Sequence, residues 1–210
     1  MTKLLVCNVS GVTEGQFSAL LAMASPERKK RAVAYPKRED AACCLVAEAM
    51  LRYAFPHKDP ETLQTEPGGK PYWKGVHFNL SHSGPWVALA VGENPVGVDV
   101  ECFRENRNVE ALAKRHFTPE EQAFVGNSQE RFLRIWTAKE ARLKWDGTGL
   151  RTSLDSFRVL DDPMGKTWLL SGAVLTLWAE KHPESWESVE ICKIVPQRWN
   201  CTFTSHLELL

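Results

Sequence analysis

Two acidic residues separated by a single valine, Asp99 and Glu101, sit in the run Val96-Gly97-Val98-Asp99-Val100-Glu101. Strand alternation sends both carboxylates to one face, about 7 Å apart, and Val98 and Val100 to the other. Carboxylates at that spacing can share one hard divalent cation, and magnesium takes a few carboxylate oxygens together with phosphate and water. The same pattern describes a strand whose wet face is acidic, and spacing alone leaves both readings open. A second constellation lies in the segment Phe132–Lys144, where Trp136, Glu140 and Lys144 are each four residues apart and share one helical stripe. They form either an exposed ion pair worth about 0.3–0.5 kcal/mol, or a third carboxylate for the cation, a lysine for a phosphate and an aromatic packed behind them.

Three further groups could meet an anion. In Phe78-Asn79-Leu80-Ser81-His82-Ser83-Gly84 a short apolar strand is predicted to end in a corner of two hydroxyls and an imidazole, able to hydrogen-bond phosphate oxygens. The Gly-x-Ser-x-Gly pattern of a hydrolase nucleophile is absent from this corner. Gly69-Lys70-Pro71-Tyr72 places one lysine in a stiff loop, and Arg28-Lys29-Lys30-Arg31 is the densest basic run, either a solvated helix face or a local anion site.

Composition narrows the class. Lys+Arg and Asp+Glu both number 26, so no bulk field points to nucleic acid or a membrane and any anion site must be local. With 210 residues, 43% apolar and 25% charged, the chain can bury a full core as one large domain or two small lobes. Its six cysteines lack zinc-finger spacing, and reduced, buried thiols in a cytoplasmic monomer are expected. The apolar start around Leu4–Cys7 is too short for a secretory signal and reads as a strand; nothing approaches a membrane span.

The elements that must position these residues follow from periodicity. Strands are predicted at Leu4–Val9, His77–Leu80, Trp86–Val91 and Val96–Glu101, the last two joined by a hairpin turn at Gly92-Glu93-Asn94-Pro95. Helices are predicted at Thr13–Met23, after the Ser25-Pro26 start, from Lys37 to Phe55, and at Asn108–His116. Another is predicted after the Thr118-Pro119-Glu120-Glu121 capping box, and a long one runs from Gln129 to Trp145, closed by Gly147 or Gly149. Strands at Ser156–Leu160, Thr167–Leu170, Ala173–Trp178, Val189–Val195 and Cys201–His206 complete the pattern. Helices followed by antiparallel strands recur in each half, which predicts an α+β fold of two lobes, 1–102 and 103–210.

Taken in order, Gly69-Lys70-Pro71, Phe78 to Ser83, Gly97 to Glu101, and Trp136-Thr137-Ala138-Lys139-Glu140-Ala141 with Lys144 closely resemble the motifs of the phosphopantetheinyl transferase superfamily, in its longer, surfactin-synthetase-activating subtype. Residues 25–41 extend the likeness toward the N-terminus. The resemblance implies a pseudo-dimer of two similar lobes, each with a long helix against a small antiparallel sheet, and an active site in the cleft between them. It implies magnesium on Asp99, Glu101 and Glu140, and coenzyme A held by Arg28, Arg31, Lys70, Ser81, His82 and Lys144. Glu140 and Lys144 would be catalytic, with either Glu140 or a water beside the metal taking the proton. The implied reaction moves 4′-phosphopantetheine from coenzyme A to a serine of an apo acyl or peptidyl carrier protein of secondary metabolism, releasing 3′,5′-ADP. Arginine stands at 28 and 31 where relatives often have lysine, and Cys43 or Cys44 replaces a polar side chain. A metal-dependent phosphodiesterase and a silent coenzyme A or carrier-binding module are the competing readings.

Overall fold

The run Leu4-Leu5-Val6-Cys7 is buried on both sides, and its two faces set the layering. The computed structural model describes residues 1–66, 69–147 and 152–191. Strand β1 (Lys3–Asn8) pairs antiparallel with β5 (Trp86–Gly92), which pairs antiparallel with β4 (His77–Ser83). Leu5, Cys7, Val87 and Leu89 face three helices, α1 (Glu14–Met23), α2 (Pro26–Ala34) and α3 (Arg38–Ala54). Leu4, Val6, Ala88 and Ala90 face the other way, onto Val98, Val100, Leu175 and Leu177 of a second sheet. A strand apolar on both faces reads as a continuous hydrophobic run rather than an alternating one, as β1 and β5 do.

The second sheet is β6 (Gly97–Cys102), β8 (Ala173–Trp178) and β7 (Gly165–Leu170), all antiparallel, with β8 in the centre. Two dipeptide strands, β2 (Gln64–Thr65) and β3 (Pro71–Tyr72), pair with each other beneath the loop that carries Lys70. Helices α4 (Val109–His116), α5 (Pro119–Val125) and α6 (Gln129–Asp146) cover the outer face of the second sheet, where Ile135, Ala138 and Ala141 meet Val174 and Trp178. The described residues thus form a mixed α+β fold of six α-helices and small sheets in four layers, helices outside and sheets within.

The predicted helix starts are built as the capping residues require: Ser25 caps α2 with Pro26 behind it, and Thr118 and Glu121 close a reciprocal box on α5. Gly147 ends α6 at φ 75°, the left-handed position a residue with a Cβ rarely takes, while Gly149 lies outside the described residues.

Four local expectations are corrected. Gly92 to Pro95 does not turn a hairpin, because β5 already has β4 on one edge and β1 on the other, and the chain crosses instead to the second sheet. Ser156–Leu160 is not a strand. A 3-10 turn occupies Leu154–Ser156, and the backbone beyond it is bonded by side chains, Lys139 Nζ donating to the Phe157 carbonyl and Val159 N–H donating to Glu121. Ser81, His82 and Ser83 belong to β4 itself rather than to a corner after it. Of the late strands, Val189–Val195 is not a strand over its described residues 189–191, and the strand lies just before it as β9 (Glu187–Ser188), which runs parallel to β1; its remainder and Cys201–His206 lie outside the described residues.

Candidate active site

Alternate residues of β4 point their side chains at the free edge of β6. The Val98 N–H donates to Asn79 Oδ1 at 2.9 Å, the Val100 N–H to Ser81 Oγ at 3.3 Å and the Cys102 N–H to Ser83 Oγ at 3.1 Å. Three polar side chains therefore replace the backbone of a missing neighbour strand, which satisfies buried donors that would otherwise cost about 1–3 kcal/mol each. The same two hydroxyls donate to the acidic residues, Ser81 to Asp99 at 2.8 Å and Ser83 to Glu101 at 2.9 Å.

Helix α6 approaches β6 closely enough that a Cβ at Gly97 would stand 1.9 Å from the Ala141 carbonyl oxygen. Glycine at 97 is what allows Glu140 and Lys144 to reach the level of Asp99. Lys144 Nζ lies 2.7 Å from Asp99 Oδ1 and also donates to Ser81 Oγ and the Val98 carbonyl, both at 3.1 Å. Lys70 Nζ donates to the Lys144 carbonyl, so the stiff loop is tied to the last turn of α6. Trp136, one turn before Glu140 on α6, stacks on Phe132 at 5.7 Å.

Burial raises the Asp99 pKa, against the opposing pull of Lys144 and Ser81. Burial also raises that of Glu140, with Asp99 adding to the effect, Lys144 opposing it and Glu101 adding again. Both groups feel the charge of Glu101, and Glu140 feels that of Asp99 as well. Among the described residues no three acidic, His or Cys side chains converge as a ready metal cluster. Asp99 is instead neutralised by Lys144, and Glu101 by Arg107 at 2.5 Å and Arg104 at 3.1 Å. Glu140 has no hydrogen bond or ion pair among the described residues, so two oxygens are left for a ligand. A donor set of carboxylate oxygens with one unpartnered member fits a hard divalent cation.

A cavity of about 620 Å³ opens beside these residues. Arg28, Arg31, Cys43, Cys44, Ser81 and His82 are among its walls, and the lining among the described residues runs from Ser25 to Val87. It touches the second half of the chain through Ser81, whose hydroxyl reaches Asp99 and Lys144. Burial lowers the His82 pKa, and Lys144 lowers it further while Asp40 opposes, so the imidazole is held toward its neutral form. Cys44 is the thiol against the basic helix, 3.7 Å from Arg28 Nη1, whereas Cys43 donates to the Gly84 carbonyl.

A family model of the 4′-phosphopantetheinyl transferase superfamily matches residues 95–204, just over half of the sequence. The chain belongs to the 4′-phosphopantetheinyl transferase superfamily. It is 32% identical over 161 residues to a 4′-phosphopantetheinyl transferase of Bacillus subtilis, covering 70% of this chain and 71% of the relative. It is 35% identical over 157 residues to the transferase psf-1 of Bacillus pumilus, at 68% and 66% coverage. A shorter match, 40% identity over 82 residues, is to the transferase HetI of a Nostoc species. The superfamily match accounts for β6 and α6 but begins after the cavity-lining residues, which are tied to the acidic face by the β4 side chains.

Sequence reading missed four side chains of this superfamily member that the structure brings to the site or its supports. Arg107 is 11% exposed and sits on Glu101, but a lone arginine after a strand carries no sequence signal for that pairing. Lys139 and Glu121 form an ion pair at 2.7 Å with neither side chain exposed, locking α6 to α5. Glu121 was legible as a capping residue, yet nothing nearby in sequence announced its second partner. Glu48 lines the cavity and binds Ser25, and its signal was that it is the one charged residue in the apolar run Ala41–Leu51 of α3.

Proposed function

We propose that this chain transfers the 4′-phosphopantetheine group of coenzyme A to a serine of an apo acyl or peptidyl carrier protein, releasing 3′,5′-ADP. The observation that carries the reading is the Ser81 hydroxyl, which lines an arginine-bearing cavity and also bonds Asp99 and Lys144. An anion bound by Arg28, Arg31 and His82 would extend to the acidic face at that point, with Lys70 beside it. We take the metal to be magnesium, with Asp99, Glu101 and Glu140 as its holders; bound there, it would neutralise charge on the pyrophosphate.

The chain's own residues supply the rest. Attack of the serine oxygen on the β-phosphorus forms one P–O bond and breaks the bond to the bridging oxygen, so charge gathers on the departing ADP. Lys144 is the cation positioned to meet that charge. The serine proton passes to Glu140 or to a water beside the metal, both of which lie on this face. The neutral state favoured for His82 makes it a hydrogen-bonding rather than charge-pairing partner for phosphate.

The same reading carries a two-lobed pseudo-dimer of 1–102 and 103–210, joined where β6 at the end of the first lobe pairs with β8 of the second. It also carries a monomer acting in the cytoplasm on carrier proteins of secondary metabolism, without nucleic acid or membrane partners. Intact-mass analysis of an apo carrier protein incubated with the chain, coenzyme A and magnesium is the deciding test, and a phosphopantetheine increment that EDTA abolishes is expected. Coenzyme A cleaved without carrier labelling would indicate a phosphodiesterase instead, and coenzyme A bound but left intact would indicate a binding module.

A further inference from the structure

Glu48 is a carboxylate where the fold offers little water: it is 2% exposed, on α3, at the wall of the cavity. Burying such a group costs several kcal/mol unless it is paired, so its partners show what the cost maintains. Oε1 accepts the Ser25 N–H at 2.8 Å and Arg52 Nη2 at 3.0 Å. Oε2 accepts the Ser25 hydroxyl at 2.7 Å and faces Arg28 Nε at 3.5 Å. Ser25 Oγ in turn accepts the Arg28 backbone N–H at 3.3 Å as the cap of α2. Arg28 is thus held twice, through its main chain by way of Ser25 and through its side chain directly.

We propose that Glu48 is a positioning residue that aims Arg28 into the cavity, an inference resting on the function proposed above. Arg52 supplies a second positive charge to the carboxylate, so the charge of Arg28 is not consumed by the ion pair and stays available to an anion. The guanidinium needs such a tether because it binds anions as a planar fork, which a small rotation spoils, where a lysine would act as a point charge. Arg31 also lines the cavity but has no hydrogen bond or ion pair among the described residues, so only one of the two arginines is aimed this way.

A double-mutant cycle tests this through coenzyme A affinity, measured by calorimetry on the full chain. Glu48→Gln and Arg28→Ala are each expected to weaken binding by about tenfold, and the double variant by no more than about twofold beyond the weaker-binding single. In Glu48→Gln the KM for coenzyme A should rise while kcat at saturation stays within about threefold, a split that loss of folded protein would not produce. Effects that multiply in the double variant, or a fall in kcat with unchanged KM, would overturn the inference. So would Arg28→Ala binding as the wild type does. If Glu48→Gln fails to fold, Glu48→Asp, one methylene short of spanning Ser25 and Arg28, must show the same non-additivity. Labelling of a carrier by the wild-type chain decides the proposed function separately, whatever this cycle shows.

Discussion

The Glu140 carboxylate is held above the ordinary glutamate range by burial first and then by Asp99, and this has a cost that can be measured. A carboxyl raised in the folded state binds more protons there than when unfolded, so stability is lost as pH rises through the folded value. Glu140→Gln keeps the shape and removes the charge. At pH 7 without metal it should therefore melt higher than wild type, by about 2–4 °C for each kcal/mol relieved, and the gain should shrink toward zero below pH 4. Its turnover should fall by about 100-fold or more. An unchanged melting curve together with turnover within about threefold of wild type would defeat the assignment. That Asp99 shares a face with Glu101, and Glu140 a face with Lys144, was legible, because period 2 in a strand and period 3.6 in a helix fix which side chains point the same way; that the two pairs meet was implied by the family resemblance alone. Their present partners were not legible, since Lys144 on Asp99 and Arg107 on Glu101 are set by how α6 and the loop after β6 dock.

Among the elements, the contact between α6 and β6 depends on one hydrogen atom's worth of space at Gly97. Gly97→Ala would drive its methyl into the backbone of Ala141 and Trp145, which unlike a flexible side chain cannot swing aside. The expected result is a loss of about 1–3 kcal/mol or more from overpacking, seen as a lower urea midpoint with unchanged slope. Turnover should fall by more than the unfolded fraction explains, because α6 moves away from Asp99 and takes Glu140 and Lys144 with it. Stability equal to wild type would show that the helix can retreat freely. Helix ends were read well from Ser25, Thr118 and Gly147 because caps are local chemistry. The false strand at Ser156–Leu160 fails for the opposite reason: its backbone groups are bonded by Lys139 and Glu121, which lie more than fifteen residues away in sequence.

Across the whole molecule, one apolar layer is shared by both sheets, and β9 returns from late in the chain to pair with β1. Halves joined through a common core should not melt separately. Urea unfolding followed by far-ultraviolet circular dichroism and by tryptophan fluorescence should give coincident transitions; two resolved steps would show that the halves hold themselves up. That the chain changes sheets after β5 was not legible, because alternation gives the faces of a strand and is silent on which neighbour takes its edge. The comb of Asn79, Ser81 and Ser83 against β6 bears on solubility as well. An edge strand with unpaired N–H groups is a template for recruiting another chain, and β6 presents such a row beside an open cavity. Here each outward N–H from Val98 to Cys102 is already occupied by a side chain too short and too polar to continue a sheet, so this edge is guarded against strand addition by Asn79, Ser81 and Ser83, the two serines of which also orient its acids.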